Sequence, residues 1–84
     1  MSSLYEAPYR LLLERIRAAR RAADVTQAEL AKRLGTDQSF VSKYERGERR
    51  LDVVELRAIC IALEINLTDF LLDFERELKN RGLA

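Results

Sequence analysis

The sequence predicts an all-α chain of five helices, and three features predict it. Side chains that cap helix starts recur: Thr26 with Glu29 three residues on, Asp37, Asp52 with Glu55, and Asn66 with Asp69. After each cap, apolar residues follow the i, i+3, i+4 spacing of one helical face. Upstream, the pattern from Tyr9 to Ala23 has the same spacing and contains no breaker.

The totals bound what such a chain can be. Its 84 residues make one domain, near the size where a single core becomes marginal and dimerisation helps. Hydrophobic residues at 48% and charged residues at 35% fit a soluble helical globule. A lone cysteine, Cys60, cannot form an internal disulfide, and with no histidine no zinc site or histidine-based catalytic site is expected. Neither a Gly-rich phosphate loop nor paired cysteines are present, so the expectation is no enzyme, no cofactor and no metal. Met1 to Tyr9 has neither a basic leader nor a continuous apolar segment, and no run approaches the ~20 apolar residues of a membrane span; the chain reads as cytoplasmic.

The net charge of +1 hides an asymmetry. Residues 10–50 hold eleven basic and six acidic side chains, a balance of +5, whereas residues 51–84 hold four and seven, a balance of −3. One end of the molecule therefore suits an approach to phosphates and the other a different task.

Taken in order, residues 1–7 carry no clear pattern and read as a flexible arm. Pro8 is placed to open the first helix. Along that helix Leu13, Ile16, Ala19, Arg20 and Ala23 share the inner side. Arg20 is the polar member of an apolar row, so it needs an anionic partner, and Glu45 is the candidate. Thr26 then starts a second helix through a reciprocal cap with Glu29. Ala28, Leu30, Ala31 and Leu34 form its buried stripe, with Gln27, Lys32 and Arg33 facing away, and Gly35 ends it in a positive-φ conformation.

Only Thr36 separates Gly35 from Asp37, which caps a third helix. A turn this short forces two helices to cross steeply, the helix-turn-helix arrangement. Val41, Tyr44 and Glu45 fall on one side of the third helix; Gln38, Ser39, Ser42, Lys43 and Arg46 fall largely on the other. That second side is rich in amide, hydroxyl and ammonium groups, which can read base edges: Gln38 can pair with adenine and Lys43 can donate to guanine. Phe40 either touches a thymine methyl or tucks against the domain. After Gly47, the turn Glu48-Arg49-Arg50 offers Arg49 and Arg50 to phosphates. Asp37 repels phosphate and serves as a cap.

Asp52 begins a fourth helix with Val53, Leu56, Ile59, Cys60 and Leu63 on its core side, so Cys60 reads as a small packed residue. Asn66 begins a fifth, along which Leu67, Phe70, Leu71, Phe74 and Leu78 share a side. Residues 8–72 are enough for the domain, which leaves 73–84 as a C-terminal extension. Phe74 and Leu78 then mark a homodimer seam, the alternative being that this helix folds back over the first.

The run Thr26-Gln27-Ala28-Glu29-Leu30-Ala31, then Gly35, Ser39, Val41-Ser42, Glu45 and Gly47, resembles the phage-repressor and Cro type of helix-turn-helix protein, the XRE-like family, over about residues 10–72. The resemblance implies a compact lambda-repressor-like DNA-binding domain with its helix-turn-helix at helices 2 and 3, an Arg20–Glu45 pair, and DNA contacts from Gln27, Gln38, Ser39, Ser42 and Lys43. The expected function is a sequence-specific transcriptional regulator, a dimer on a two-fold double-stranded DNA operator, with no small-molecule ligand. The alternative is a protein-interaction module, such as an antitoxin or regulatory partner, that keeps the same fold.

Overall fold

The computed structural model describes residues 3–84 and contains α1 (Ser3–Ala22), α2 (Gln27–Leu34), α3 (Gln38–Glu45), α4 (Val53–Ala62) and α5 (Leu67–Asn80), with no strand among the described residues. α2 packs on α3 and α4, α1 packs on α3 and α5, and α4 packs on α5. No helix is long and apolar enough to cross a membrane among these residues.

The first helix begins earlier than its sequence suggests. The expected arm over 1–7 is helical from Ser3 onward, residues 1–2 lie outside the described residues, and Pro8 sits inside α1. A proline at this sixth helical position forfeits one backbone bond of α1. Glu6 and Arg10 bracket the gap with an ion pair one turn apart. Leu11, Leu13, Ile16 and Arg20 line the inner side, while Ala23 lies past the helix end and is exposed.

Thr26 caps α2 by accepting from the Glu29 amide at 3.0 Å, but the Glu29 carboxylate turns to Arg33 at 3.5 Å and the reciprocal bond is not made. Leu30 and Ala31 are buried and Leu34 half-buried, whereas Ala28 is exposed. The stripe that faces the core is 27, 30, 31, 34, a full i, i+3, i+4, i+7 set, so Gln27 takes the inward place that the composition of the segment suggests for Ala28. Gly35 then adopts φ 72°, and the Thr36 amide reaches the Ala31 carbonyl at 2.9 Å, which satisfies the last carbonyls of α2 and turns the chain directly into α3.

Asp37 caps α3 through the Phe40 amide at 3.3 Å. Val41 and Tyr44, both fully buried, anchor α3 in a core shared with Leu13, Ile16, Val25, Leu30, Leu56, Ile59, Cys60, Leu63 and Phe70. Gly47 at φ 79° ends the segment, with the Glu48 amide bonded to the Lys43 carbonyl at 2.8 Å.

α4 opens with the reciprocal cap its sequence predicts: the Asp52 amide donates to Glu55 at 2.9 Å and the Glu55 amide to Asp52 at 2.7 Å. Val53, expected on the core side, is exposed. Leu51 takes that role: it precedes the cap, packs against the core and, with buried Leu56, holds the positions of a hydrophobic staple.

α5 runs unbroken through residues 72–73 and lies on α1. Arg15 meets Asp73 at 3.0 Å and Arg81 meets Glu14 at 2.7 Å. The helix folds back over the first, and Leu78 is buried inside the chain, with Phe74 half-buried. Leu78 is thus packed within the single chain, and of the two expected seam residues Phe74 keeps the more surface. Among the described residues, the large apolar side chains that remain exposed are Val53, Val54, Ile61 and Leu72.

Candidate nucleic-acid interface

The surface around α3 is built on a buried ion pair. Arg20 of α1 donates through Nε to Glu45 Oε2 at 2.7 Å and through Nη2 to Glu45 Oε1 at 3.1 Å, and its Nη1 reaches the Val25 carbonyl at 2.8 Å. Burial pushes the Glu45 carboxyl up, but hydrogen bonds from Arg20 and Gln27 outweigh it and hold the group below the usual carboxylate range. The pair that the apolar row of α1 required is present.

Gln27 and Gln38 extend this pair to the surface. Gln27 Nε2 donates to Glu45 Oε1 at 2.9 Å, and Gln38 Nε2 donates to Gln27 Oε1 at 3.3 Å. Gln27 is half-buried and Gln38 exposed, each at the first position of its helix. A missed member of this group is Arg17, whose Nε lies 3.8 Å from Glu45 Oε1 while its side chain is 51% exposed. Its place one turn before Arg20 was the available signal.

The remaining expected residues divide by how far their polar groups are already engaged. Lys43 is exposed. Ser39 donates its hydroxyl to Asp37, which with the Phe40 amide holds that carboxyl below its usual range. Half-buried Ser42 accepts from Arg46 Nη1 at 2.8 Å, and Arg46 also grips Glu48 at 2.9 Å and 3.1 Å. Phe40 tucks against the domain: it is half-buried, meets Tyr44 edge-on at 5.6 Å, and lies under the Arg49 guanidinium at 4.7 Å. Packing onto the core wins because a ring left outward would stay in water.

Arg49 and Arg50 are not loose ends of a solvated turn. Arg49 binds both oxygens of Glu55 at 3.1 Å and 2.7 Å and donates to the Arg50 carbonyl at 2.8 Å. Arg50 stacks on the Tyr9 ring at 4.2 Å, and the Tyr9 hydroxyl accepts from the Leu51 amide at 3.1 Å. Tyr9 was not among the expected residues, since nothing local in sequence connects it with a turn some forty positions away, and Glu48 and Glu55 were read only as part of the turn and as a cap.

Comparison with known proteins gives this surface a context. A helix-turn-helix family model matches residues 16–70. A solved XRE-family like protein from Pseudomonas syringae pv. tomato str. DC3000 is 44% identical, with a TM-score of 0.85 over 89% of this chain and 92% of its own. The chain belongs to the XRE-type helix-turn-helix family.

This XRE-type chain also resembles the wild-type restriction-modification controller protein C.Esp1396I, with 26% identity and a TM-score of 0.79 over 93% of this chain and 97% of that one. An uncharacterized transcriptional regulator in the ATPase CF(0) region of Rhodospirillum rubrum is 36% identical over 63 residues, 75% of this chain. The XRE-type chain spans 58% of the length of that relative. The matched segment holds α2 and α3 entire, and with them Gln27, Gln38 and the Arg20–Glu45 pair.

Proposed function

We propose that the chain is a sequence-specific DNA-binding regulator of transcription. The first turn of α3 enters the major groove, and α2 spans the adjacent backbone. Gln38 reads a base edge and Lys43, farther along the same exposed side, reads or anchors beside it. Gln27 and the free amides at the start of α2 meet a phosphate, with Arg17 beside them. Arg46, Arg49 and Arg50 serve the phosphates flanking the end of α3, and Ser39 and Ser42 adjust to either. Phe40 supports Arg49 from below rather than touching a base.

The observation that carries this reading is the exposed amide of Gln38, held at 3.3 Å by Gln27 at the start of a helix whose opposite side, Val41 and Tyr44, is fully buried. Selection from a random duplex pool tests it: the expected product is a two-fold repeat with half-sites about one helical turn apart. An unenriched pool, or binding that Gln38→Ala weakens equally on every duplex, removes the reading.

The two-fold repeat follows from a homodimer. With Leu78 buried, the surface that favours one is the exposed row Val54, Ile61 and Leu72 on α4 and α5. The same row favours the second reading, a module that docks another protein. Binding that falls steeply with salt separates the first reading from the second.

A further inference from the structure

Three arginines follow α3 in the chain, and their guanidinium groups are held in two different ways. Arg46 is paired with Glu48 at 2.9 Å and Arg49 with Glu55 at 2.7 Å, so a phosphate must displace a carboxylate to reach either. Arg50 instead lies 4.2 Å over the Tyr9 ring and meets no carboxylate within ion-pair distance among the described residues. A ring takes the face of a guanidinium and leaves its in-plane N–H groups to donate, without cancelling its charge. The backbone beneath is fastened too. In the peptide unit that joins Arg50 to Leu51, the carbonyl accepts from Arg49 Nη1 at 2.8 Å and the amide donates to the Tyr9 hydroxyl at 3.1 Å. Tyr9 is half-buried and packs against the core, so the platform under Arg50 is itself fixed.

We infer that Tyr9, in the second turn of α1, is a positioning residue for phosphate binding: its ring holds the guanidinium of Arg50 and its hydroxyl holds the backbone at the root of that side chain, which makes Arg50 a preformed anchor for a duplex phosphate. This rests on the proposed DNA reading and extends the interface to the start of α1, 42 positions before Leu51. A loose arginine loses rotamer freedom when it binds, and here that ordering precedes the encounter. Arg50 also meets the phosphate with no ion pair to break first, unlike Arg46 and Arg49.

Fluorescence anisotropy with a labelled duplex of random sequence tests it, because a phosphate contact is the same on every sequence. Arg50→Ala should lower the salt slope by about 1. Tyr9→Leu keeps that charge, so it should leave the slope near the wild-type value and weaken binding about three- to fivefold. In the Arg50→Ala background Tyr9→Leu should cost nothing more, because the ring acts through that guanidinium. Nuclear magnetic resonance gives a second readout, since a ring shifts the protons that lie over it. The Arg50 Hδ signals should stand upfield in wild type and in Tyr9→Phe, which keeps the ring, and return to ordinary values in Tyr9→Leu. The wild-type and Tyr9→Phe spectra carry the test even where Tyr9→Leu unfolds. Ordinary Arg50 signals in wild type, full affinity in folded Tyr9→Leu, or an undiminished loss without Arg50 overturns the inference. An unchanged salt slope in Arg50→Ala sinks this anchor alone; no duplex binding by wild type at low salt sinks the DNA reading with it.

Discussion

Arg20 and Glu45 face each other edge to edge, Nε to Oε2 at 2.7 Å and Nη2 to Oε1 at 3.1 Å, across the contact between α1 and the last residue of α3. Both side chains are nearly excluded from solvent, at 9% and 3% exposure. A pair of this kind gains little over apolar packing but is costly to break on one side only. Glu45→Leu, or Arg20→Met, should therefore cost about 3 kcal/mol in urea unfolding, whereas the two together should recover part of that loss. Recovery stays incomplete because Arg20→Met also orphans the Val25 carbonyl. Additive losses in the double variant would show that the charges do not act as a pair.

The same pair sets an acid limit. The folded Glu45 carboxyl lies below its usual value of 4.5, so the unfolded chain takes up this proton first as pH falls. Its stabilisation is fully present above that usual value and is lost as pH drops through the lowered one. Melting temperatures of wild type and Glu45→Gln should therefore converge below about pH 4.5 and stay apart at neutral pH. A gap that is constant down to about pH 3 would assign the acid sensitivity elsewhere. Glu14, Asp37, Glu48 and Glu55 are also held low, but they are shared by both proteins and cancel in the comparison.

Tyr44 shows the opposite economy. Its ring fills the core at 0% exposure, yet its hydroxyl finds no hydrogen-bond partner among the described residues, and burial pushes its pKa far up. A buried donor without a partner costs about 1–3 kcal/mol of desolvation. Tyr44→Phe keeps the ring and removes that cost, so it should raise stability by about 1 kcal/mol, or roughly 4–8 °C in a domain of this size. A fall in melting temperature would mean that the hydroxyl is satisfied in solution.

The five helices, their caps and the Arg20–Glu45 pair were legible because each rests on local spacing or on one charge in an apolar row. What stayed hidden depends on neighbours distant in sequence. Gln27 reads as outward until α3 brings Glu45 and Gln38 to it, and Leu78 reads as surplus until α5 lies on α1. Arg49 reads as free until Glu55, named only as a capping partner, proves to bind it as well. Pro8 misled in another way, since a residue favoured at the first position of a helix stands here inside one.

That double use of Glu55 gives a prediction about DNA. A phosphate must compete with the carboxylate for Arg49, so Glu55→Gln, which retains a capping side chain, should tighten binding to all duplexes alike. Arg49→Ala should weaken all duplexes alike and lower the salt slope by about 1. Gln38→Ala and Lys43→Ala should instead cost ~1–3 kcal/mol on the selected duplex and relax preference at one position each. Filter binding across a salt series distinguishes the two kinds of effect. Sequence-dependent losses in Arg49→Ala would move that residue from the backbone to a base.

Two-fold assembly is tested on the apolar row that α4 and α5 leave exposed. Val54 and Ile61 lie two turns apart on one side of α4, and Ile61 shares a surface depression with Thr68, one turn before Leu72 on α5. An apolar patch that joins two copies should lose its partner when a charge is placed in it, without harm to the fold of each copy. Ile61→Lys and Leu72→Lys should shift sedimentation equilibrium to the monomer while retaining wild-type helicity. Leu78→Lys should behave differently: the charge enters the contact between α1 and α5, where it has no room for water, and the chain should lose its cooperative melt. A folded Leu78→Lys monomer beside an unchanged Leu72→Lys dimer would restore the C-terminal seam and remove the α4–α5 row from the interface.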